Sequence, residues 1–555
     1  MSATAEAQLC RTLQISPLMA RLLIGRGLAD PDQAHSFLST RLEDIPDPHS
    51  LEEMDRAVAR ILQAIKQRDD VLIYGDYDVD GMTGTAQLAL FLAEVGLTPR
   101  TFLPHRLEDG YGLNPKTLAK ILAHPPDLLI TIDNGTNAVA EISRLRSQGI
   151  DVMVIDHHET PNQRPDVVAL LNPKSSGSTF KERNIASAGL VFLFLIALRQ
   201  SLRQSGAALI PNLKRYLDLA TLGTIADVVP LVGYNRTLVT FGLKELTETT
   251  RPGLIALKEV AQVVGPVTPT TVGFRLAPRL NAAGRMRHAS LALQLLMTAD
   301  HIEAKQIATQ LEQLNQERQA VEEEMAREAY QMVELEASDR CGLVVAREGW
   351  HLGVAGIVAA RLVDRYQKPA IVIALENGVG RGSGRTVPEI SLYDALTNAA
   401  SELIHFGGHH AACGLAIEPS RIAIFAKLFD QAVQKQSGGT SSPLWIDSFV
   451  ELSHIDLPLI QEIARLEPFG AGNPEPLFAV QGVTIVQPRI VGTNHLKGIV
   501  QQGNTQLAAI GFRFADQLTN LSSGNKHNIA FSPQINEWKG SISVQLRIRY
   551  LQAPK

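Results

Sequence analysis

Short apolar runs alternate with amphipathic stretches between residue 51 and about residue 300. Residues 71–74, 128–132 and 152–155 form largely apolar runs, and stretches whose apolar positions recur every three or four residues lie between them. Strands that alternate with helices in this way are typical of βαβ units. The pattern therefore predicts a first α/β domain over residues 51–300, built on a parallel sheet covered by helices.

Residues 301–337 contain neither glycine nor proline, and their apolar positions recur at spacings of three or four or their multiples. This spacing predicts one long helix of about 50 Å, at ~1.5 Å per residue. We favour a rigid strut that joins two domains, and a dimerising coiled coil is the alternative.

Strand and helix patterns resume after this helix and then give way to strands alone. Residues 338–450 combine the strand-like GLVVARE and AIVIAL with a helical stretch, which predicts a second α/β domain. Residues 451–555 open with a helical stretch and continue as short strands, which predicts an all-β barrel or sandwich. Residues 1–50 indicate a short helical region broken by prolines. The expected fold class is α/β, with two α/β domains joined by a long helix and a C-terminal all-β OB-like barrel.

Composition excludes several classes of protein. Hydrophobic residues make up 45% of the chain and charged residues 20%, as in folded globular proteins. The longest apolar run, residues 190–198, is too short to span a membrane, and the N-terminus lacks a signal-peptide pattern. Three cysteines in distant segments argue against a disulfide framework or a cysteine zinc site. We therefore expect a cytoplasmic protein without a membrane partner.

Acidic residues follow three of the predicted strands. Asp76, Asp78 and Asp80 lie in one turn after the first strand, Asp133 follows the second, and Asp-His-His at 156–158 follows the third. Each cluster alone has an ordinary alternative, a helix cap or a surface histidine pair. The carboxyl ends of parallel strands face one crevice, however, so all three should converge there. Carboxylates with imidazoles suit Mn²⁺, with Mg²⁺ as the alternative, and a central Asp133 could bridge two ions.

A glycine-dense segment at residues 378–385 is the second candidate site. Alternate glycines there would let backbone amides approach an anion, and Arg381, Ser383 and Arg385 offer further donors. A plain surface loop is the alternative.

Eight segments together carry a resemblance to a known family. They are Asp76-Tyr77-Asp78-Val79-Asp80-Gly81, Asp133-Asn134-Gly135, Asp156-His157-His158, Gly223-Thr224-Ile225-Ala226-Asp227-Val228-Val229-Pro230, Ala277-Pro278-Arg279-Leu280-Asn281-Ala282-Ala283-Gly284-Arg285, Gly382-Ser383-Gly384-Arg385, Gly407-Gly408-His409 and Leu466-Glu467-Pro468-Phe469-Gly470. The set resembles the RecJ-type exonucleases of the DHH phosphoesterase superfamily, over nearly the whole chain from about residue 50.

The resemblance implies a role for individual residues. It implies that two metal ions are ligated by Asp78, Asp80, Asp133, His157 and Asp227. Asp76 and His158 would complete the inner shell or assist catalysis. Asp227 enters only through the resemblance. The 5′-terminal phosphate would be held by Arg106, Ser383 and Arg385, and the substrate cleft would be lined by Arg279, Asn281, Arg285 and His409.

The C-terminal tail carries its own signal. Residues 477–555 have a net charge of +6, which leaves −11 for the rest of the chain, and aromatic residues lie among the cations. OB-type barrels hold single strands by stacking bases on aromatic rings in a cationic groove. The candidate nucleic-acid-binding residues are Arg513, Phe514, Trp538, Lys539 and Arg547. A solvated basic face over core aromatics is the alternative.

From this resemblance we expect a single-stranded-DNA-specific 5′-to-3′ exonuclease that uses two-metal catalysis, releases 5′-mononucleotides and acts in DNA recombination and repair. Two other functions stay open: a DHH phosphodiesterase of short oligoribonucleotides or cyclic dinucleotides, and a non-catalytic single-strand-binding scaffold. The expected partners are single-stranded DNA, a helicase and a single-strand-binding protein. The chain is expected to be monomeric and bacterial.

Overall fold

The computed structural model describes residues 3–161, 163–337, 339–436, 444–492, 494–515, 518, 521, 525–538 and 541–552. They fall into two compact units. The sheet unit comprises the described residues of Asp47–Asp227 and Gly242–Ser441. The barrel unit comprises those of Met1–Pro46, Val228–Phe241 and Ser442–Lys555.

The helices in the described residues are α1 (Ala3–Leu13), α2 (Pro17–Gly25), α3 (Pro31–Leu38), α4 (Met54–Gln67), α5 (Val79–Glu94), α6 (Pro115–Ala123), α7 (Val139–Ser147), α8 (Ser187–Gln204), α9 (Leu217–Ala226), α10 (Gly233–Thr247), α11 (Pro252–Val260), α12 (Pro269–Thr271), α13 (Ala277–Met286), α14 (Ser290–Met297), α15 (His301–Glu336), α16 (Leu352–Tyr366), α17 (Leu392–Asn398), α18 (Ile422–Gln436) and α19 (Leu457–Ala464). None of these described helices has the length and apolar character needed to cross a membrane.

The strands in the described residues are β1 (Val71–Gly75), β2 (Arg100–Phe102), β3 (Leu128–Ile132), β4 (Asp151–Ile155), β5 (Ala169–Leu171), β6 (Leu343–Glu348), β7 (Ala370–Glu376), β8 (Val379–Arg385), β9 (Leu403–Gly408), β10 (Ala412–Ile417), β11 (Ser448–Phe449), β12 (Phe478–Val491), β13 (His495–Gln502), β14 (Thr505–Gly511), β15 (His527–Trp538) and β16 (Ser541–Gln552).

The first sheet of the sheet unit is parallel, with the order β2-β1-β3-β4-β5. Strands β1 and β3 are buried along their whole length, because α6 and α7 pack on one face while α5 also contacts both strands. The chain moves to one side from β1 to β2 and to the other side at β3. In such sheets a ligand crevice opens at the carboxyl ends of the two central strands, here β1 and β3. The predicted parallel sheet is confirmed.

Helix α15 confirms the predicted long helix and joins two cores of the sheet unit. Ile307 and Leu311 in its first half pack in the core that includes α13 and α14. Met325 and Val333 in its second half pack in the core formed with β6, β7 and α16. Because these apolar positions are covered within the chain, the structure favours the strut over the dimerising coiled coil.

The second sheet is mixed, with the order β6-β7-β8-β10-β9, and corrects one prediction. The glycine-dense segment forms β8, which pairs with β7 on one side and β10 on the other, so its backbone amides take part in the sheet. A Cβ at Gly380, Gly382 or Gly384 would lie 2.9 Å or less from a side chain of a neighbouring strand. These glycines therefore serve close packing, and the prediction that their amides approach an anion was wrong.

The barrel unit contains the predicted OB fold. Strands β12, β13, β14, β16 and β15 follow one another around a barrel that closes by pairing of β12 with β15. The pair β14–β16 is parallel, and the other pairs of the barrel are antiparallel. A five-stranded Greek-key barrel of this kind is the OB fold.

Helices α1–α3 belong to the same unit as the barrel. Leu9 and Leu22 lie in one apolar core with Phe478 and Phe531. The backbone N–H and the hydroxyl of Ser16 donate to the carboxylate of Glu462, at 2.8 and 2.5 Å. Opposite ends of the chain therefore share one core.

Arg236 on α10 connects the three chain segments of the barrel unit. The residue is 4% exposed, and its guanidinium donates to the carbonyls of Phe37, Arg465 and Leu466 and stacks 3.8 Å from the centre of the Phe37 ring. We expect Arg236→Ala to destabilise this unit by about 3 kcal/mol, because buried carbonyls lose charged donors. Hydrogen exchange of the β12 and β15 amides measures the effect, and Arg489→Ala, at an exposed position on β12, is the control. Equal exchange in both variants would contradict the assignment.

Candidate metal centre

A row of four polar residues stands at the carboxyl end of the parallel sheet. The last residues of β1, β3, β4 and β5 are paired in one register. The residues that follow them are Asp76, Asp133, Asp156 and Asn172. The sequence predicted three of these four to converge, and the fourth was missed although it also follows a short apolar run.

His157 lies among the carboxylates of this edge. Its Nε2 is 3.3 Å from Oδ1 of Asp133 and 3.9 Å from Oδ2 of Asp80, and its Nδ1 is 3.6 Å from Oδ2 of Asp227. Ligand atoms lie within 4.8 Å of one another in three groups: Asp133, His157 and His158; Asp80, His157 and Asp227; and Asp76, Asp78 and Asp133. The structure thus brings together the five predicted metal ligands and the two predicted assisting residues.

The electrostatics of the row favour a cation. Burial and the charges of neighbouring carboxylates, first among them Asp80, raise the pKa of Asp133 well above its usual value. The same two causes raise the pKa of Asp80 to about 7. Burial and the adjacent His158 lower the pKa of His157 to about 4, so its ring is neutral and can act as a ligand near pH 7.

One carboxylate oxygen of the row has no partner within the described residues. Oδ1 of Asp76 is buried and accepts no hydrogen bond there. Asp78 beside it is fixed at the start of α5, where its Oδ1 accepts the N–H groups of Asp80 and Gly81 at 2.9 and 3.1 Å. A buried, unpartnered carboxylate oxygen is unfavourable unless a cation binds it. Together with the mixed oxygen and nitrogen donors, this fits a divalent metal ion.

Asp156 orients the two histidines. Its Oδ1 accepts the backbone N–H of His157 and Nδ1 of His158, at 2.8 and 2.7 Å, and its Oδ2 accepts the N–H of Thr136. Asn172 donates to the carbonyl of His158 and the hydroxyl of Thr136, at 2.9 and 3.0 Å. Burial lowers the pKa of His158, but its hydrogen bond to Asp156 and the charges of Asp156, Asp76 and Asp78 together outweigh burial and raise the pKa above its ordinary value. The network holds the His158 ring in one orientation and favours its protonated form.

Tyr111 is another residue that the sequence did not single out. Its hydroxyl donates to the carbonyl of Asp133 at 3.0 Å and lies 3.3 Å from the nitrogens of the His158 ring. Its ring, which is half-exposed, packs edge-on against His158 and Tyr77. In the sequence, the only indication of a role for Tyr111 was its place five residues after Arg106.

Three arginines gather close to the carboxylate row. The guanidinium of Arg106 lies 4.9 Å from the centre of the Tyr77 ring, and Arg285 donates to the carbonyl of Gly353 at 3.0 Å. Burial first, and then the charges of Arg106 and Arg385, lower the pKa of Arg285 to about 9. Because these neighbouring guanidinium groups repel one another, the cluster favours a bound anion.

Ser383 and Arg385 complete this cluster from strand β8. Nη1 of Arg385 is 3.4 Å from Oγ of Ser383. A Cβ at Gly356 on α16 would lie 2.9 Å from that hydroxyl and 3.1 Å from Nη2 of Arg385. The glycine therefore lets α16 approach both donors.

The predicted cleft residues have separate environments. Arg279 pairs with Glu312 of α15 at 2.5 Å. Asn281 is half-buried on α13. His409 lies at the turn between β9 and β10, where burial and then the charges of Arg385 and His158 lower its pKa.

The candidate residues of the barrel unit have different environments. Phe514 is partly buried against the core of the unit. Phe512 is 44% exposed and lies between the His495 ring, at 5.1 Å, and the Arg547 guanidinium, at 5.4 Å. The backbone N–H of Arg513 donates to Nδ1 of the same histidine. Trp538 ends β15 and its side chain lies outside the described part, as does all of Lys539.

Models of known families match three segments of the chain. The N-terminal domain of the DHH family matches residues 70–224, the DHHA1 domain matches residues 340–435, and the RecJ OB domain matches residues 446–550. A parallel sheet with acidic residues at its carboxyl end, followed along the chain by the mixed sheet of a DHHA1 domain, defines the class of DHH phosphoesterases.

Curated relatives and solved structures narrow this class. The chain is 36% identical to the single-stranded-DNA-specific exonuclease RecJ of Bacillus subtilis, over 98% of its own length and 68% of that protein's. It is 34% identical to the protein of the same name from Escherichia coli, with 96% of each chain covered. The crystal structure of RecJ from Thermus thermophilus in complex with Mn²⁺ is similar over the whole chain and 78% of its own, with a TM-score of 0.85 and 29% identity. The chain belongs to the RecJ family.

Proposed function

We propose that this protein is a metal-dependent exonuclease specific for single-stranded DNA, which degrades it from 5′ to 3′, releases 5′-mononucleotides and serves DNA recombination and repair. The observation that carries the proposal is the group of carboxylates and histidines at the carboxyl end of the parallel sheet, with Arg106, Arg285 and Arg385 close to it. Metal ligands and phosphate-binding cations within one compact unit are what phosphodiester hydrolysis requires. The names of the curated relatives supply the substrate class.

Five residues would hold two Mn²⁺ ions, with Mg²⁺ as the alternative: Asp78, Asp80, Asp133, His157 and Asp227. Asp76 offers its unpartnered oxygen to the same centre. Bound divalent ions supply Lewis acidity, which activates water for in-line attack on phosphorus and neutralises charge on the phosphate oxygens. Solved RecJ structures carrying Mn²⁺ or Mg²⁺ support this choice of ions.

His158 acts on the scissile phosphate in this proposal. Its ring is held by Asp156 and its raised pKa favours the protonated form, so it can donate a proton or a hydrogen bond to the leaving oxygen. Arg106, Ser383 and Arg385 bind the terminal 5′-phosphate. A pocket that binds the 5′ end beside the metal centre places the cut one nucleotide from that end. It thereby sets the 5′-to-3′ direction of digestion.

The barrel unit binds single-stranded DNA in this proposal. Phe512 offers an exposed ring for base stacking, and Arg513 and Arg547 offer cations beside it. This arrangement favours a nuclease of long strands over a phosphodiesterase of dinucleotides. The complete metal-ligand set counts against a non-catalytic scaffold.

We expect Arg547→Ala to weaken binding of a 30-nucleotide single strand and to reduce the slope of log affinity against log salt by about one, because one phosphate contact is lost. Fluorescence anisotropy between low and moderate salt measures both. Lys526→Ala is the matched control. This exposed lysine lies beside Gly482 on β12. The His495 that contacts Phe512 pairs with Val491, at the other end of the same strand. Equal slopes in the two variants would remove Arg547 from the interface.

The proposed activity is tested by the release of acid-soluble nucleotides with Mn²⁺ or with EDTA. The substrates are a single-stranded DNA, its duplex, a diribonucleotide and a cyclic dinucleotide. Rapid, Mn²⁺-dependent digestion of the single-stranded DNA alone is expected. Cleavage of the dinucleotides without the long strand would favour the small-molecule phosphodiesterase, and binding without cleavage would favour the scaffold.

Three further expectations accompany the proposal and stay predictions. They are a monomeric state, location in the bacterial cytoplasm, and cooperation with a helicase and a single-strand-binding protein. The expected cytoplasmic location follows from the composition of the chain, and the expected partners follow from the resemblance to the family.

A further inference from the structure

Helix α8 begins at the metal centre without a capping side chain from Ala186, the residue before it. The carboxylate of Asp80 takes this role from outside the helix. Its Oδ2 accepts the N–H of Ser187 at 2.7 Å, and its Oδ1 accepts the N–H of Ala188 at 2.8 Å. The first N–H groups of a helix have no partner within it, and these two are buried, so the contact fixes Asp80 against α8.

Ser187 also reaches a second carboxylate of the centre. Its hydroxyl donates to Oδ1 of Asp133 at 3.0 Å, and the residue is fully buried. One residue therefore contacts Asp80 through its backbone and Asp133 through its side chain. These two carboxylates belong to different elements, α5 and the end of β3.

The hydroxyl suits this place chemically. A carboxylate has about four lone-pair positions, so Oδ1 of Asp133 can accept one neutral donor and still bind a cation. A neutral donor lessens the repulsion between buried carboxylates without adding a competing charge. It also restrains a side chain whose backbone already has the left-handed φ of 65°.

We propose that Ser187 is a positioning residue of the metal centre, whose hydroxyl holds Asp133 in the orientation that binds divalent ions while its N–H holds Asp80. This inference rests on the metal binding proposed above. Partners that orient metal ligands change affinity by about 10–100-fold when removed. The variant Ser187→Ala removes the hydroxyl and keeps the N–H groups that hold Asp80.

Equilibrium binding of Mn²⁺ to the full chain tests the proposal, with free Mn²⁺ quantified by its EPR signal. We expect Ser187→Ala to bind at least one ion about tenfold more weakly than the wild type. Saturating Mn²⁺ should restore most of kcat, whereas the Mn²⁺ concentration for half-maximal rate should rise. The control is Thr85→Val on α5, which removes a buried hydroxyl that has no partner in the described structure.

The outcomes separate this inference from the proposed function. A wild type that does not bind Mn²⁺ would overturn both. A wild type that binds two ions, with Ser187→Ala binding them equally well, would overturn the role of Ser187 alone. A double-mutant cycle with Asp133→Asn should show that Ser187→Ala has little further effect once the carboxylate is gone. If Ser187→Ala does not fold in EDTA, Ser187→Cys keeps the size of the side chain with a weaker donor, and the same loss of affinity is expected.

Discussion

Replacing Asp133 with asparagine is expected to lower cleavage of single-stranded DNA by about a thousandfold or more, because the central carboxylate of the metal centre is lost. Asparagine tolerates the left-handed backbone that Asp133 adopts, so the fold should be retained. Single-turnover kinetics at saturating Mn²⁺ measures the loss. Asp127→Asn, at the opposite end of the same strand, is the control.

The same variant should be at least as stable as the wild type in EDTA. In the folded chain the pKa of Asp133 is raised above its unfolded value, so ionising it destabilises the metal-free protein as pH increases beyond about 4. Asparagine removes this penalty, and it also removes part of the stabilisation that Mn²⁺ gives the wild type. A variant that unfolds earlier in EDTA and still cleaves normally would show that Asp133 has only a structural role.

Replacing Arg385 with alanine is expected to reduce the preference for 5′-phosphorylated over 5′-hydroxyl ends by about 10–100-fold, the value of a charge-assisted hydrogen bond of about 1.5–3 kcal/mol. Arg385 reaches the hydroxyl of Ser383 and lies close enough to Arg285 to lower its pKa. The ratio of kcat/KM for the two ends measures the effect. Because a general loss of activity lowers both kcat/KM values equally, this ratio is not affected by it.

Arg381→Ala is the matched control for this prediction. Arg381 lies on the same strand β8, where it pairs with Ala374 of β7 and is exposed. Its removal should leave the preference unchanged. A wild-type preference that survives in Arg385→Ala would exclude Arg385 from the phosphate pocket.

Most of the candidate metal centre could be predicted because most of its residues follow strand ends. Asp76, Asp133 and 156–158 each come directly after an apolar run, and the geometry of a parallel sheet brings such positions together. Asp227 lies at the end of helix α9, where spacing alone gives no reason to expect a ligand. It was identified only through the family resemblance.

Residues that contact the candidate ligands could not be predicted from local pattern. Ser187 opens a buried helix and Asn172 follows a three-residue strand, and neither place differs in sequence from an ordinary cap or turn. The glycines of β8 were misinterpreted for a related reason. A glycine required by neighbouring strands has the same sequence signature as one that exposes its amide.

Long-range packing was the other limit. Hydrophobic periodicity identified α15 and the barrel strands, but it does not report which distant segment covers an apolar face. Helices α1–α3 share the core of the barrel. Arg236 donates both to Phe37 in α3 and to Leu466 in the loop that precedes the barrel. The motif that places Arg279 in the predicted cleft gave no indication of its ion pair with Glu312 on the long helix.

Digestion of a single-stranded oligonucleotide labelled at either its 5′ or its 3′ end, with Mn²⁺ and a duplex control, tests the central claim most directly. The account predicts immediate release of the 5′ label as a mononucleotide, stepwise shortening of the 3′-labelled strand, and resistance of the duplex. Release of the 3′ label first, internal cuts, or equal digestion of the duplex would contradict a single-strand-specific exonuclease that starts at the 5′ end.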